Sequence, residues 1–507
     1  MMIKNAKDKR DQIQFVSASA LVPENHLLRD IERAIDFSFI YELVEDKYSK
    51  DQGRPSLDPV MLIKIPLIQY LYGISSMRQT IKDIEVNAAY RWFLGLDLTE
   101  PVPHFSTFGK NYTRRFKGTD LFEQIFQRIL EECFNSNLVD SSVIFVDATH
   151  IKASANKKKS VKVLAEAQAL HYEEELFKEI NEDREAHGKK PFDDKDDDDD
   201  DDSPEGSGKK EIDQSTTDPE SGMFHKGEHK REFAYVSQTA CDKNGWILGY
   251  TIHPGNEHDS RTFKDIYEEV KPYEPDLLVM DAGYKTPAIA RMLIKDHVNP
   301  LFPYKRPMTK KGFFKKYEYV YDEYYDCYIC PNNQILKYST TNRDGYREYK
   351  SNGSICAECP YLSSCTESKN HVKVVTRHIW EDYMEICEDI RHTEGMKDWY
   401  DRRKETIERV FGTAKEYHGM RYTRYTGKAL MEMKVGLTLA CINLKKLAKM
   451  KKRLGLLTGP NGSYLRSFAC KLIFLIKKKI PSLLSLVDGI CLQSEKKAIK
   501  PSSSSVR

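Results

Sequence analysis

The sequence predicts a mixed α/β catalytic region that follows an all-helical N-terminal region. Three carboxylates in distinctive settings support the α/β part. Asp147 ends the apolar run SSVIFVD and Asp281 ends the apolar run DLLVMD, so each is expected where a short strand stops. Glu408 lies in RRKETIERVFGTAKEYHGMRY, a charged amphipathic stretch that favours a helix. The order strand, strand, helix predicts that the three acids meet at one site.

Three acids in this arrangement point to metal-dependent phosphodiester chemistry. Hard divalent cations prefer oxygen ligands, and carboxylates supply them. A pair of such ions activates water and stabilises the leaving oxygen when a phosphodiester is cut. Taken singly, each acid also fits a strand cap or a turn, which is the structural alternative at every one of these positions. The combination of three settings favours the catalytic interpretation.

Several sequence blocks together resemble a known family. They are VDATHIKA, GYTIHPGNEHDS, VMDAGYK, a cysteine cluster, and TIERVFGTAKEYHGMRYTRYTG followed by ACINLKKLA. On these blocks the chain resembles a DDE-type insertion-sequence transposase with an RNase H-like catalytic domain, and the resemblance covers residues 10–450. The resemblance implies an RNase H-like mixed sheet flanked by helices. It also implies that Asp147, Asp281 and Glu408 are catalytic and bind Mg²⁺ or Mn²⁺.

The last block resembles the aromatic–basic–Glu–Lys pattern of that family. Lys415 stands seven positions after Glu408, as the pattern requires. The basic position four residues before the glutamate is Lys404, with Arg403 beside it. The aromatic position is Asp401, which departs from the pattern. The resemblance implies that Lys404, Arg403 and Lys415 contact DNA.

A β-hairpin is predicted between the two strand-end aspartates. YVSQTACD and WILGYTIHP alternate in hydrophobicity, and Asn244-Gly245 between them is a hairpin turn signal. His258 and Asp259 follow the second strand, in a block that the family places near its active site. We expect both to lie beside the catalytic acids; an ordinary turn histidine is the alternative for His258.

Residues 1–130 are predicted to form a helical DNA-binding domain. The segment LIKIPLIQYLYGI has apolar residues at helical spacing, and residues 56–59, Ser-Leu-Asp-Pro, form a helix start. SSMRQTIKDIEV repeats this pattern after a serine cap, and Ser106 is a candidate cap for the following helix. Short helices that end in a basic one suit a helix-turn-helix reader of DNA, and a scaffold or dimerisation bundle is the alternative. The candidate DNA-binding residues of the last helix are Lys110, Arg114 and Arg115.

Charge is distributed unevenly along the chain. The net charge of +2 gives no argument for DNA binding by the chain as a whole. Residues Lys445–Arg507 contain 15 Lys or Arg and two acids, which suits phosphate contacts or a merely solvated tail. The uninterrupted aspartates Asp196–Asp202 predict a disordered acidic loop at 190–210, because their repulsion opposes folding. The charged stretch 160–188 before this loop favours a surface helix.

Five of the eleven cysteines lie within a single short segment, which is predicted to be an insertion at 305–375. Cys-x-x-Cys-Pro occurs twice, and thiolates at this spacing fit tetrahedral zinc. Reduced structural cysteines or a redox pair are the alternatives. The candidate zinc ligands, four of these five, are Cys327, Cys330, Cys356, Cys359 and Cys365.

Together these observations predict a transposase that cuts and joins double-stranded DNA at the terminal inverted repeats of its own insertion sequence. The predicted domains are 1–130, a catalytic domain at 140–450, and a basic tail at 451–507. The expected assembly on DNA is a homodimer or higher. The polar N-terminus and the absence of long apolar runs predict no membrane association and a cytoplasmic location at the bacterial nucleoid. The alternatives are an RNase H-like nuclease without strand transfer and an inactive DNA-binding regulator.

Overall fold

The protein is described here from a computed structural model that covers residues 13, 15–49, 56–156, 159–165, 173–192, 210–226, 230–306 and 308–457. The chain divides into two compact units. The first contains the described parts of Met1–Asp140 and Met433–Arg507, together with Ala414–Gly419. The second contains the described parts of Ser141–Thr413, together with Met420–Glu432.

The N-terminal part of the first unit is helical, as predicted. Asp58 caps one helix, because its Oδ1 accepts the N–H of Val60 at 2.7 Å, and Pro59 follows as the first helical residue. Ser76 caps the next helix by accepting the N–H of Gln79 at 3.2 Å. Both helix starts were predicted correctly. The helices are α1 Ala18–Leu21, α2 Leu27–Ala34, α3 Phe39–Val44, α4 Pro59–Leu71, α5 Met77–Val86, α6 Ala88–Leu94, α7 Ser106–Asn111 and α8 Leu121–Asn135.

The predicted cap at Ser106 is wrong by one position. The residue before the helix is Phe105, which makes no side-chain capping bond, and Ser106 is the first residue of α7. Its hydroxyl pairs with His104 Nδ1 at 2.8 Å instead of with a backbone amide of the helix. The helix passes directly into a π-helical turn, Tyr112–Phe116, which carries Arg114 and Arg115.

The second unit is built on a six-stranded mixed sheet. Its first strand pairs antiparallel with the fifth strand of the chain and parallel with the seventh, which pairs parallel with the eighth. This order confirms the predicted RNase H-like mixed sheet. The strands and the helices that follow them are β1 Val143–Lys152, β4 Gly222–Lys226, β5 Lys230–Asp242, β6 Ile247–Pro254, α10 Phe263–Val270, β7 Leu277–Val279, α11 Pro287–Lys295 and β8 Asn299–Leu301.

The hairpin prediction is confirmed. Strands β5 and β6 pair antiparallel, and Tyr235 lies opposite Pro254 in their register. Gly245 in the turn has a φ of +75°, a conformation that glycine adopts without the steric cost of a Cβ atom.

The segment 160–188 is only partly the predicted surface helix. Its start forms strand β2 Ser160–Ala165, which pairs with β3 Lys210–Ser215. Its valines, Val161 and Val163, are β-branched residues that favour a strand, and a count of charges alone overlooks them. Helix α9 Glu173–Ala186 then follows, and its Ile180 and Asp183 are buried. Asp183 accepts bonds from Thr341 and Arg347, so this helix packs against the cysteine-rich segment.

The cysteine-rich segment forms its own five-stranded antiparallel sheet in the order β13-β12-β11-β10-β9. Two short helices lie between its last two strands. Among the described residues, four α-helices follow this sheet in the chain. The elements are β9 Val320–Asp322, β10 Cys327–Ile329, β11 Ile335–Thr341, β12 Tyr346–Lys350, α12 Gly353–Ala357, α13 Leu362–Cys365, β13 Val374–His378, α14 Glu381–His392, α15 Met396–Asp401, α16 Ile407–Tyr417 and α17 Lys428–Arg453.

Most of α17 belongs to the first unit, which the predicted domain 1–130 does not include. The Cys441 thiol donates to the Leu67 carbonyl oxygen at 3.6 Å. Lys452 pairs with the buried carboxylate of Asp30 at 2.8 Å. The division therefore differs from the predicted boundaries, because the helical unit is completed by a helix from the far end of the chain.

Two predicted features lie outside the described residues: the acidic loop with Asp196–Asp202 and nearly all of the basic tail at 451–507. Within the described ranges, no helix is long and apolar enough to cross a membrane.

Candidate active site

The register of two parallel strands places Asp147 and Asp281 at the same edge of the main sheet. Phe145 of β1 lies opposite Val279 of β7. Each aspartate follows its member of this pair by two residues. The carboxyl ends of neighbouring parallel strands lie at one edge of a sheet, which is where α/β proteins place their functional groups. Asp281 follows the end of β7, as predicted. The predicted strand end at Asp147 is wrong, because β1 continues to Lys152 through its pairing with β5.

Backbone amides hold both aspartates. Asp147 Oδ1 accepts the N–H of Ala148 at 2.9 Å, and Asp281 Oδ1 accepts the N–H of Gly283 at 2.8 Å. A Cβ atom at position 283 would lie 3.0 Å from Asp281 Oδ1. Glycine at this position therefore lets the turn close around the carboxylate.

Arg403 is the cation next to Asp147. Its Nη2 lies 2.7 Å from Asp147 Oδ2, and the arginine is buried in the short 3₁₀ turn Arg402–Lys404 before α16. Its Nε has no hydrogen-bond partner among the described residues. The Arg403 guanidinium therefore faces the acidic site. Its contact with DNA stays a prediction.

The electrostatics of Asp147 link it to the other two acids. Burial raises the pKa of Asp147 to about 6, although Arg403 acts in the opposite direction. The negative charges of Asp281 and Glu408 raise the pKa of Asp147 further. Glu408 stands exposed in the first turn of α16. Asp281 and Glu408 are thus close enough to Asp147 to act on it through their charges.

Asp259 is a fourth acid of this site. Its pKa is raised to about 6, mainly by burial and also by the charges of Asp281 and Asp147. The Tyr284 side chain is fully buried, and the charges of Asp259, Asp147 and Asp281 contribute to raising its pKa. The sequence pointed to Asp259 through a motif, but it gave no signal for Tyr284, whose burial depends on the tertiary fold.

His258 occupies the turn before Asp259. It is exposed, and its Nδ1 pairs with the Ser260 hydroxyl at 2.8 Å, the arrangement of a turn histidine. The turn that contains it is anchored from β5, because Gln238 Nε2 donates to the Asp259 carbonyl oxygen at 2.8 Å.

The predicted DNA-binding residues occupy different environments. Lys404 is exposed in the turn before α16, and Lys415 is half-buried on that helix, two turns after Glu408. In the first unit, Lys110 and Arg114 are exposed. Arg115 instead lies over the Tyr48 ring at 4.4 Å, so part of its side chain serves packing.

The donor types of the site fit a hard divalent cation, but its present geometry is not that of a metal centre. Asp147, Asp281, Glu408 and Asp259 supply carboxylate oxygens, the ligands that Mg²⁺ and Mn²⁺ prefer. The buried Tyr284 hydroxyl and Gln238 Oε1 have no hydrogen-bond partner in the part of the chain that the structure describes, so the site has unused polar capacity. Among the described residues, however, no three His, Cys, Asp or Glu side chains are grouped closely enough to hold a metal ion. The positive charge beside Asp147 is the Arg403 guanidinium instead of a metal ion.

The predicted zinc ligands lie in the five-stranded sheet and its two short helices. Cys327 is buried within β10, and the other four candidates are half-buried in the turns and helices beyond it. All five are free thiols.

Two family models match the chain. Residues 16–114 match a model described as a transposase domain, and residues 329–448 match one described as a transposase DDE domain. Both matches are to transposase domains, and the second is of the DDE type. They support the predicted transposase function, an enzyme that cleaves DNA and transfers its strands. Enzymes of this family use a divalent metal ion.

Solved transposase structures resemble the chain only distantly. One is the piggyBac transposase synaptic complex with hairpin DNA, with 10% identity over 87% of this chain and 84% of the other, and a TM-score of 0.34. The Mos1 strand transfer complex has 9% identity over 72% and 80%, with a TM-score of 0.16. The Mos1 paired-end complex has 10% identity over 50% and 61%, with a TM-score of 0.15. No curated protein matches the chain. Since these TM-scores are low, the assignment to the transposases depends on the family models.

Proposed function

We propose that Asp147, Asp281 and Glu408 are the catalytic acids of this transposase and that they hold Mg²⁺ or Mn²⁺. The observation that carries the proposal is the register of β1 and β7, which sets the two aspartates at one sheet edge. The influence of Glu408 on the pKa of Asp147 supports its membership of the same site. When bound, such an ion supplies Lewis-acid activation of the attacking oxygen and neutralises charge on the phosphate.

The protein groups around the acids would prepare the site for this chemistry. Burial favours the protonated form of Asp147, and the positive charge of Arg403 opposes this effect. The Asp147 carboxylate is thereby favoured in the ionised form that binds a cation. The Gly283 amide orients Asp281 by its hydrogen bond. A cation that enters beside Asp147 must compete with the Arg403 guanidinium, so Arg403 would move aside when the site is assembled.

The substrate that we propose is double-stranded DNA at the terminal inverted repeats of the chain's own insertion sequence. Lys404 and Lys415 flank the catalytic glutamate in sequence, and Lys110 and Arg114 are exposed cations of the helical unit. Cations of this kind bind phosphates with a strong salt dependence. Joining both ends of an element to one target requires two active sites, which a homodimer or higher assembly on DNA would supply. The enzyme would then work at the bacterial nucleoid.

The test is cleavage and strand transfer by single variants of the full chain. Asp147→Asn, Asp281→Asn and Glu408→Gln should each abolish Mg²⁺-dependent nicking of DNA that carries an element end. DNA binding should stay near the wild-type level. Glu405→Gln is the matched control, because Glu405 is an exposed acid three residues before Glu408 in the same segment. Activity in any one of the three variants would remove that residue from the catalytic set.

A second assay separates the proposed function from its alternatives. Element ends that already carry a free 3′-hydroxyl bypass the nicking step, so their transfer into a target measures strand transfer alone. A nuclease without strand transfer would nick intact ends and leave pre-cut ends unjoined. An inactive regulator would bind the ends and perform neither reaction. The transposase should perform both.

A further inference from the structure

The five-stranded sheet has a small hydrophobic core. Its fully buried apolar side chains are Tyr319, Tyr328, Leu336, Tyr349 and Val375. Cys330 and Cys365 pack against this core from its margin. A core of this size gives a small domain little stability, and natural domains of this kind often add disulfides or a structural metal. All the described cysteines are free thiols, so of these two means of stabilisation a structural metal is the one that remains.

Four of the five cysteines lie on two facing chain segments. Cys330 occupies the turn between β10 and β11, whereas Cys356, Cys359 and Cys365 lie in the α12–α13 segment. A hydrogen bond links these segments, because Asn332 Nδ2 of the turn donates to Cys359 Sγ at 3.5 Å. Within the α12–α13 segment, the Cys359 N–H donates to the Cys356 carbonyl oxygen at 3.1 Å, so these two cysteines share one turn. Cys330 and Cys365 pack against the same small core, which places one cysteine of each segment beside it.

Cys327 is separate from these four thiols. It lies within β10, opposite Asp322 on one side and Lys337 on the other. Its side chain is buried within the sheet, whereas the other four thiols are half-buried in the turn and the α12–α13 segment. Its place in the paired strand therefore separates it from the cysteines on the turns.

We propose that Cys330, Cys356, Cys359 and Cys365 form a structural zinc site that joins the β10–β11 turn to the α12–α13 segment. Four thiolates are the ligand set of a closed, tetrahedral structural zinc site. The geometry thus selects four ligands from the five cysteines that the sequence left as equal candidates. The site is separate from the catalytic acids and does not depend on the proposed roles of those acids.

The surroundings of the sulfurs suit thiolate ligands. The Gln334 N–H points at Cys330 Sγ at 3.3 Å, in a tight turn where Asn333 has a φ of +53°. The Tyr319 hydroxyl lies 3.2 Å from Cys365 Sγ, close enough to donate to it. Metal ligands are commonly oriented by hydrogen bonds of this kind from neighbouring groups.

Zinc binding requires the thiols to leave some of their present partners. No three of these sulfurs are grouped at metal-binding distance within the described residues. Cys356 Sγ, for example, donates to the Ser351 hydroxyl at 3.2 Å. Rotation of the cysteine side chains, on turns that already face each other, would exchange these weak hydrogen bonds for bonds to the metal.

The test measures the metal content of the full chain, purified under reducing conditions without added metal. We expect about one zinc per chain, retained in Cys327→Ser and largely lost in Cys359→Ser and Cys365→Ser. Cys327→Ser is the matched control, since it removes a thiol of the same segment. Absence of metal, iron in place of zinc, or equal zinc loss in Cys327→Ser would each overturn the proposal.

A second measurement avoids variants that fail to fold. Wild-type protein with cobalt(II) in place of zinc should show the sulfur-to-metal charge-transfer and visible absorption bands of a tetrahedral thiolate site. Titration with a mercurial reagent should release the zinc as the thiols react. Zinc that is released by mild chelation without any thiol reacting, or a cobalt spectrum without thiolate bands, would contradict the four-cysteine site.

Discussion

Arg403 and Asp147 form a buried ion pair, with 2.7 Å between Nη2 of the arginine and Oδ2 of the aspartate. The pair joins the turn before the glutamate helix to the first strand of the sheet. Removing one partner of such a pair leaves an uncompensated buried charge, whereas a metal ion at the same carboxylate could replace the missing partner. The arginine and a catalytic metal are therefore expected to compete for Asp147.

This competition predicts the behaviour of Arg403→Gln. Without metal, the variant should be less stable than the wild type by about 3–5 kcal/mol, the usual cost of breaking a buried pair. With Mg²⁺ or non-catalytic Ca²⁺, its melting temperature should rise more than that of the wild type, because the ion no longer displaces an arginine. Thermal unfolding with and without metal measures both effects. Arg402→Gln is the control, since Arg402 is exposed next to Arg403. Equal metal-induced shifts in both variants would contradict the competition.

Lys404→Ala should act on DNA binding instead of stability. Lys404 is exposed and its loss removes one phosphate contact, so the slope of log affinity against log salt should fall by about 0.9. Fluorescence anisotropy with element-end DNA at several salt concentrations measures this slope. Lys397→Ala, which removes an exposed lysine from α15, is the matched control. An unchanged slope in Lys404→Ala would show that this lysine makes no phosphate contact.

The sequence pointed to Asp147, Asp281 and Glu408 because their signals are local. An apolar run that stops on an acid is visible in ten residues, and the same holds for the Asp58-Pro59 helix start. The Arg403–Asp147 pair was not predictable in this way, since it joins residues more than 250 positions apart and depends on tertiary packing. The local pattern even favoured a different role for Arg403, in DNA contact.

Long-range packing also explains the differences in the fold. Strand β2 formed where a charge count favoured helix, because its partner β3 lies beyond the acidic run. The helical unit contains Cys441 and Lys452, whose partners Leu67 and Asp30 lie near the start of the chain. A linear division of the chain at 130 cannot represent a unit of this kind. Among the five cysteines, likewise, only the folded positions separate Cys327 from the others.

Gly73→Ala should destabilise the helical unit more than Gly95→Ala. Both glycines have positive φ, +63° and +77°, so both variants incur backbone strain of about 1–2 kcal/mol. At Gly73 the new Cβ would also lie 2.5 Å from the Tyr417 carbonyl oxygen. At Gly95, apart from its chain neighbours, no atom of the described residues lies within 4 Å of such a Cβ. The clash at Gly73 should add about 1–3 kcal/mol. Urea denaturation of the two variants measures the difference, and equal stabilities would contradict the close approach of Gly73 to Tyr417.

His418 should make the helical unit sensitive to acid. It is buried, its Nδ1 lies 2.8 Å from the Tyr70 carbonyl oxygen, and burial lowers its pKa to about 4. The unfolded chain binds this proton with a pKa of about 6.5, so between pH 6.5 and 4 the unfolded state holds more protons than the folded state. Stability therefore falls as the pH drops through this window, by about 2 kcal/mol for this residue at pH 5.

The variant His418→Gln isolates this contribution. Glutamine has no titrating group, so the loss of stability between pH 7.5 and pH 5 should be about 2 kcal/mol smaller than in the wild type, even if the variant is less stable at pH 7.5. His253 and His378 also have pKa values lowered to about 4 by burial, and their acid sensitivity remains in both proteins and cancels in the comparison. His104→Gln, at an exposed position of the same unit, is the control. Urea denaturation at both pH values gives the result, and an acid-induced loss in His418→Gln as large as in the wild type would mean that His418 is not held neutral in the folded protein.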